Sequence, residues 1–385
     1  MALKVGHGAE APPFLVMDVI AAANAREAGR RATDPRTIRM EVGQPGTGAP
    51  RGAALAAVAA LRSGSALGYT EALGVPSLRA RIARHYRDWY GLDLDPARVA
   101  VTVGASGAFP LAFLASFDAG DRVALAAPYY PPYVNVLQAL GLRPVVIPTG
   151  PETRYQPTVE LLDRLDPAPD GLIVASPCNP AGTMLAPDEL TALIAWCRAR
   201  GVRLVSDEIY HGLHHGRPIA TAASSPDAIV VNSFSKYFSM TGWRIGWLVL
   251  PEALVRPVEC LAQNMAISAS HIAQVAAEAA FECGAELEAN VAAYRRSREL
   301  LLRALPEAGF PRLAAADGAF YLYADIGDRT NDSVAFCARM LAEVGVATSP
   351  GIDFDAGRGR TTMRFSYCGP EADMAEAAER LRKWR

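Results

Sequence analysis

In the stretch "VVNSFSKYFSMTGWRIGWLVLP", Val230 to Pro251, a lysine follows a short apolar run: Lys236 stands among hydroxyls that include Ser233 and Ser235, with Arg244 eight residues on. An amine held against a sheet can serve as a nucleophile; the alternative is an ordinary solvated loop lysine. Other polar groups follow apolar runs in the same way. Gly104-Ala105-Ser106-Gly107-Ala108 comes after "RVAVTV" at the predicted start of a helix, where bare backbone N–H groups, the helix dipole and the Ser106 hydroxyl suit a phosphate. Asn179 comes after "GLIVAS", and Asp207 with Tyr210 comes after "VRLVS". Each has a structural alternative: close helix–sheet packing for the small residues, an Asx-turn for Asn179, a helix cap for Asp207. Together they make the set that a phosphorylated pyridine aldehyde requires. The amine forms a Schiff base, the acid holds the ring nitrogen protonated, donors meet the phenolate oxygen, and cations and hydroxyls take the phosphate.

Such groups need a scaffold that brings strand ends together. Between about 98 and 250, short continuous apolar runs ("RVAVTV", "RVALAA", "RPVVIP", "GLIVAS", "VRLVS", "AIVVN", "RIGWLVL") alternate with helical patterns. Such alternation predicts an α/β fold with a mainly parallel sheet covered by helices on both faces, which binds ligands beyond the carboxyl ends of its strands. Residues 252 to 306 read as long alanine-rich helices. A smaller α+β unit follows, with "AFYLYADI" and "TTMRFSYC" as strands and helices near 332–345 and 370–384. One helix is expected in "FLVMDVIAAANAREAGRR", packing beside the C-terminal unit. The expected division is an N-terminal segment 1–43 packing with the small domain, a large domain 44–285 and a small domain 286–385.

Composition limits the partners. The chain has 385 residues, 51% hydrophobic, with 20% charged and a formal net charge of −2, so it buries a sizeable core and offers no basic surface for nucleic acid or membrane. No run approaches the roughly 18 apolar residues of a membrane span, and the six cysteines are scattered without metal or disulfide spacing. These features fit a soluble cytoplasmic protein acting on small molecules.

The motifs "SFSKYFSMTGWRIGW", "SPCNPAGT", "SDEIY", "GYTEALGVPSLR", "DGAFYLY" and "MRFSYC" resemble the class I/II (fold type I) aminotransferases of the aspartate aminotransferase superfamily, over almost the whole chain. The resemblance implies pyridoxal 5′-phosphate as cofactor and Lys236 as the residue that forms the Schiff base and moves the proton. It implies Asp207 on the pyridine nitrogen, and Tyr210 and Asn179 on the phenolate oxygen. Ala105, through its N–H, and Ser106, Ser233, Ser235 and Arg244 would hold the phosphate, while Tyr130 would stack on the ring. Arg364 would grip the substrate α-carboxylate, where a planar guanidinium meets both oxygens, with Gly43 and Asn179 beside it. Tyr69 would reach the phosphate of a neighbouring subunit, which implies a homodimer with shared active sites.

The resemblance leaves the amino donor and acceptor open, and a lyase or decarboxylase on the same fold would use the same lysine and aspartate. A non-enzymatic cofactor-binding regulator fits less well, since no DNA-binding module precedes the core. His211, His214 and His215 in "HGLHH" are expected to be solvated histidines rather than metal ligands. Cys178 is expected to be a small apolar residue in a packed turn.

Overall fold

Seven apolar runs pair into one sheet in the computed structural model, which describes residues 3–384. From edge to edge the strands are Val99–Thr102, Gly246–Val249, Ile229–Ser233, Arg203–Asp207, Gly171–Ala175, Arg122–Ala127 and Arg143–Pro148. All run in one direction except Gly246–Val249, which is antiparallel to both neighbours. The strands read as unbroken apolar runs because both faces are covered. Leu172 and Val174 pack into one core cluster while Ile173 between them packs into the other.

This directionality builds one functional edge. The residues after Thr102, Ala127, Ala175, Asp207 and Ser233 all emerge at the carboxyl ends of parallel strands. Because Gly246–Val249 is reversed, the residue that precedes its start by two, Arg244, reaches that same edge.

A second, antiparallel sheet runs Ser349–Pro350, Thr362–Ser366, Tyr321–Asp325, Arg312–Leu313, with Arg364 paired to both Tyr323 and Ser349. Ile38–Arg39 pairs in parallel with Val346–Ala347, so the chain leads residues 41–44 past Arg364. The helix Leu15–Ala28 contacts Ser349–Pro350, Val346–Ala347 and the helix Ser333–Val344. Helices also occupy Glu252–Met265, His271–Ala280, Gly284–Glu307 and Glu371–Lys383. Two further helices, Arg51–Arg62 and Pro76–Tyr90, lie outside the sequence expectations.

Candidate active site

A cavity of about 310 Å³ opens at the carboxyl edge of the large sheet. It gathers Gly43, Ala105, Ser106, Tyr130, Asn179, Asp207, Tyr210, Ser233, Ser235, Lys236, Arg244 and Arg364. Tyr69 alone among the candidates lies elsewhere, 81% exposed on the surface of the chain.

At the centre, Lys236 Nζ donates to the Gly43 carbonyl at 2.6 Å and lies 5.7 Å from the centroid of the Tyr210 ring. Burial pulls the amine down to about 8. Among nearby charges, Asp207 opposes that shift, while Arg364 assists it more than Arg244 does. Asp207 closes its strand at 3% exposure. One carboxylate oxygen accepts the Ile209 N–H at 3.1 Å and the other accepts the Tyr133 hydroxyl. Burial raises this acid to about 6, and the bonds from Tyr133 and Ile209 and the charge of Lys236 hold it from rising further.

The anion-binding end is built from backbone. The helix Gly104–Ser116 begins without a side-chain cap, leaving its first N–H groups free of a protein cap. Gly104 has φ +67°, and a Cβ there would sit 2.6 Å from Arg244 Nη2, so only glycine lets the guanidinium lie against the helix start. Arg244 donates to the Thr241 carbonyl at 2.7 Å and reaches Ser106 Oγ at 3.4 Å. Ser233 Oγ bonds Ser235 Oγ at 2.8 Å and the Ile245 carbonyl at 3.1 Å.

Opposite, Arg364 is 2% exposed and donates to Asn179 Oδ1 at 2.7 Å, Ser349 Oγ at 3.0 Å and the Glu41 carbonyl. Its Nε is buried without a hydrogen-bond partner, and its guanidinium lies over the rings of Tyr321 and Phe354. Tyr210 and Tyr321 share a hydrogen bond of 2.7 Å between hydroxyls.

Several lining residues escape the sequence motifs. Tyr133 follows Tyr130 by three residues in "YYPPY", Tyr129 to Tyr133, yet nothing local announces its bond to Asp207. Phe14, Val16, Met17 and Ile20, from the N-terminal helix and the residue before it, form an apolar wall. Their spacing on one helical face is the available signal.

The "HGLHH" turn departs from expectation. His211 is buried, with Nδ1 2.6 Å from the Tyr90 hydroxyl and Nε2 3.0 Å from the Ser176 carbonyl, and burial lowers it to about 3. His214 and His215 are only partly exposed. The turn leaves the middle of the sheet and is covered by Trp89 and Tyr237, which crowd Gly212. No group of three or more His, Cys, Asp or Glu side chains able to hold a metal occurs among the described residues. Cys178 is buried, 3.3 Å from Thr183 Oγ1.

A parallel sheet whose strand ends join a buried lysine, an aspartate and an anion-binding helix start defines the architecture of the fold type I transferases. Residues 35–381 match the model for aminotransferase class I and II, and the chain belongs to that family, whose members depend on pyridoxal 5′-phosphate. It is 50% identical, over 99% of its length and 98% of the relative's, to a valine–pyruvate aminotransferase of Mycobacterium tuberculosis. The solved structure of an aminotransferase from the same organism superposes with a TM-score of 0.96 at 49% identity, covering 100% of this chain and 99% of that one. The aspartate aminotransferase of Thermus thermophilus bound to maleate superposes with a TM-score of 0.91 at 32% identity, covering 99% and 100%. The chain is a transaminase that moves amino groups between amino acids and 2-oxo acids.

Proposed function

We propose that this transaminase is a pyridoxal-phosphate enzyme that takes the amino group of a small apolar L-amino acid, valine foremost, and passes it to pyruvate in a ping-pong cycle. The observation that carries the substrate class is the make-up of the cavity wall. Phe14, Val16, Met17 and Ile20 line the same cavity as Arg364, and the cavity's other cations among the described residues are Lys236 and Arg244. With Lys236 assigned to catalysis and Arg244 to the phosphate, the described residues of this chain's lining offer no cation for a second substrate carboxylate. The valine–pyruvate relative supports the same class.

The residues fit the cofactor. The uncapped helix start, the Gly104 cradle and the hydroxyls of Ser106, Ser233 and Ser235 beside Arg244 suit a phosphate. Asp207 suits the ring nitrogen, Tyr210 and Asn179 the phenolate oxygen, and Tyr130 the ring face. When bound, the cofactor supplies an electron-poor ring that accepts the electron pair left as the substrate's α-proton departs. Asp207 carries the negative charge that keeps a proton on that ring's nitrogen. Arg364 orients the substrate by its α-carboxylate. Lys236, with its affinity for protons lowered to about 8, keeps a larger neutral fraction near physiological pH than an ordinary lysine, and as the neutral amine it would take the α-proton and return it on the far side of the substrate nitrogen, two atoms along. The apolar wall keeps water from these charges.

The same reading takes the chain as a cytoplasmic homodimer in which Tyr69 serves the partner's phosphate site. It divides the chain into a segment 1–43, a large domain 44–285 and a small domain 286–385. No helix among the described residues is long and apolar enough to cross a membrane.

The test is to load the protein with pyridoxal phosphate, supply valine and pyruvate, and measure alanine formed. The expected result is turnover with valine well above that with aspartate, reduced by at least about 10³-fold in Lys236→Ala. Release of ammonia or carbon dioxide in place of alanine assigns the chain to lyase or decarboxylase chemistry instead.

A further inference from the structure

We propose that Asp353 is a positioning residue that fixes the pocket end of the N-terminal helix and so sets discrimination among apolar amino-acid side chains, an inference that rests on the apolar-donor reading above. The helix Leu15–Ala28 starts with Phe14, whose side chain cannot cap it. A helix start leaves backbone N–H groups without partners, and a local Ser, Thr, Asp or Asn normally takes one of them. Here the cap comes from the far end of the chain. Leu15 N–H donates to Asp353 Oδ1 at 2.9 Å and Val16 N–H to Asp353 Oδ2 at 3.1 Å. Asp353 is 8% exposed, and its negative charge lies at the positive end of the helix dipole.

The two halves of this helix are held differently. Its carboxyl half is pinned by Ala23 packing with Leu341 and Ala347, by Arg26 on the Pro35 carbonyl and Thr37 Oγ1, and by Arg39 on Asn24. Its first turns give Val16, Met17 and Ile20 to the cavity, and Met17 remains 57% exposed. Phe14 meets Tyr130 edge-on at 5.8 Å. The wall that a substrate side chain meets is therefore the half that depends on the Asp353 carboxylate.

Asp353 is also linked to the carboxylate-binding side. It lies four residues beyond Ser349, whose hydroxyl accepts from Arg364 Nη2 at 3.0 Å and donates to the Glu41 carbonyl at 2.8 Å. One short segment thus fixes the distance between the group that grips the α-carboxylate and the wall that reads the side chain. On the apolar-donor reading, the two methyls of valine meet more of that wall than the single methyl of alanine.

The experiment compares the cofactor-loaded wild type with Asp353→Ala and Asp353→Asn by amide hydrogen exchange over residues 15–20 and by kcat and KM for valine and for alanine as donors. Exchange in that segment is expected to accelerate about tenfold in Asp353→Ala while the large sheet stays protected, the size set by loss of a helix cap. KM for valine is expected to rise about tenfold with kcat and the alanine KM nearly unchanged, and Asp353→Asn, which keeps one acceptor, to fall between. Unchanged exchange over 15–20, or a KM that rises equally for both donors, overturns the proposal. Should Asp353→Ala not fold, the same two measurements on Asp353→Asn decide it. A wild type that does not distinguish valine from aspartate sinks the donor reading instead, while the exchange rates still decide the anchor.

Discussion

Tyr133 and Ile209 between them occupy both carboxylate oxygens of Asp207, so the group proposed to face the ring nitrogen is oriented before any ligand arrives. The Tyr133 bond also sets its acidity. Burial raises Asp207 to about 6, and the Tyr133 hydroxyl is the largest opposing influence. A donor to a carboxylate favours the ionised form, so removing it raises the pKa. Tyr133→Phe is therefore expected to move the acid limb of the kcat/KM–pH profile upward by about one unit, the worth of a hydrogen bond to a charge. An unmoved acid limb shows that Tyr133 does not tune this acid. Lys236, Asp207 and Asn179 were legible in the sequence because each follows or closes a strand whose apolar run is unmistakable, and Arg364 through the resemblance of "MRFSYC" to the aminotransferases. Tyr133 was not, because its partner is 74 residues away and "PPY" does not say which strand end the phenol meets. The histidines were misjudged for a related reason. Polarity in "HGLHH" suggests solvent, but where a turn leaves the centre of a sheet, neighbouring helices cover it.

The segment that joins the Ile38–Arg39 strand to the helix Arg51–Arg62 shows how an element constrains the site through backbone alone. Gly43 uses its carbonyl to hold Lys236, and a Cβ on it would stand 1.9 Å from the Tyr321 hydroxyl oxygen and 2.9 Å from Tyr321 Cζ. Tyr321 cannot yield freely, since its hydroxyl is bonded to Tyr210. Gly43→Ala is expected to displace that ring at a cost of about 1–3 kcal/mol, lowering the thermal midpoint, and to lower kcat/KM for valine about tenfold. Adding Tyr321→Phe removes the nearest clashing atom, so the double variant should recover part of the loss, a non-additivity that a double-mutant cycle reads directly. Additive losses would place the constraint elsewhere in the segment. The seven sheet strands were readable because burial on both faces leaves continuous apolar runs. The helices Arg51–Arg62 and Pro76–Tyr90 were harder. Neither has a side-chain cap, and the first presents Leu55 and Leu61 to solvent on its outer face while burying only the alanines Ala53 and Ala57.

That outer face matters for the whole molecule. Leu55, Val58 and Leu61 are 56%, 40% and 64% exposed at helical spacing, and Met265 and Ile267 are exposed as well. Apolar residues grouped in this way are costly to leave in water and suit a self-complementary interface. Tyr69 is 81% exposed and lies outside its own chain's cavity, a placement that suits the proposed role at a partner's phosphate. If the proposed homodimer uses this face, Leu61→Glu should shift the protein to monomer in sedimentation and take activity with it. A dimer that survives Leu61→Glu puts the interface elsewhere. Subunit hybrids then test whether the sites are shared. Tyr69→Phe and Lys236→Ala each damage every site of their own homodimers. In a hybrid, the site that keeps Lys236 receives an intact Tyr69 from the Lys236→Ala subunit and is wild type in both. Half of a randomly re-associated equal mixture is hybrid, with one restored site in two, so about a quarter of all sites should regain full activity. Were Tyr69 to act within its own chain, no site in the mixture would hold both residues, and activity would stay at the average of the two variants.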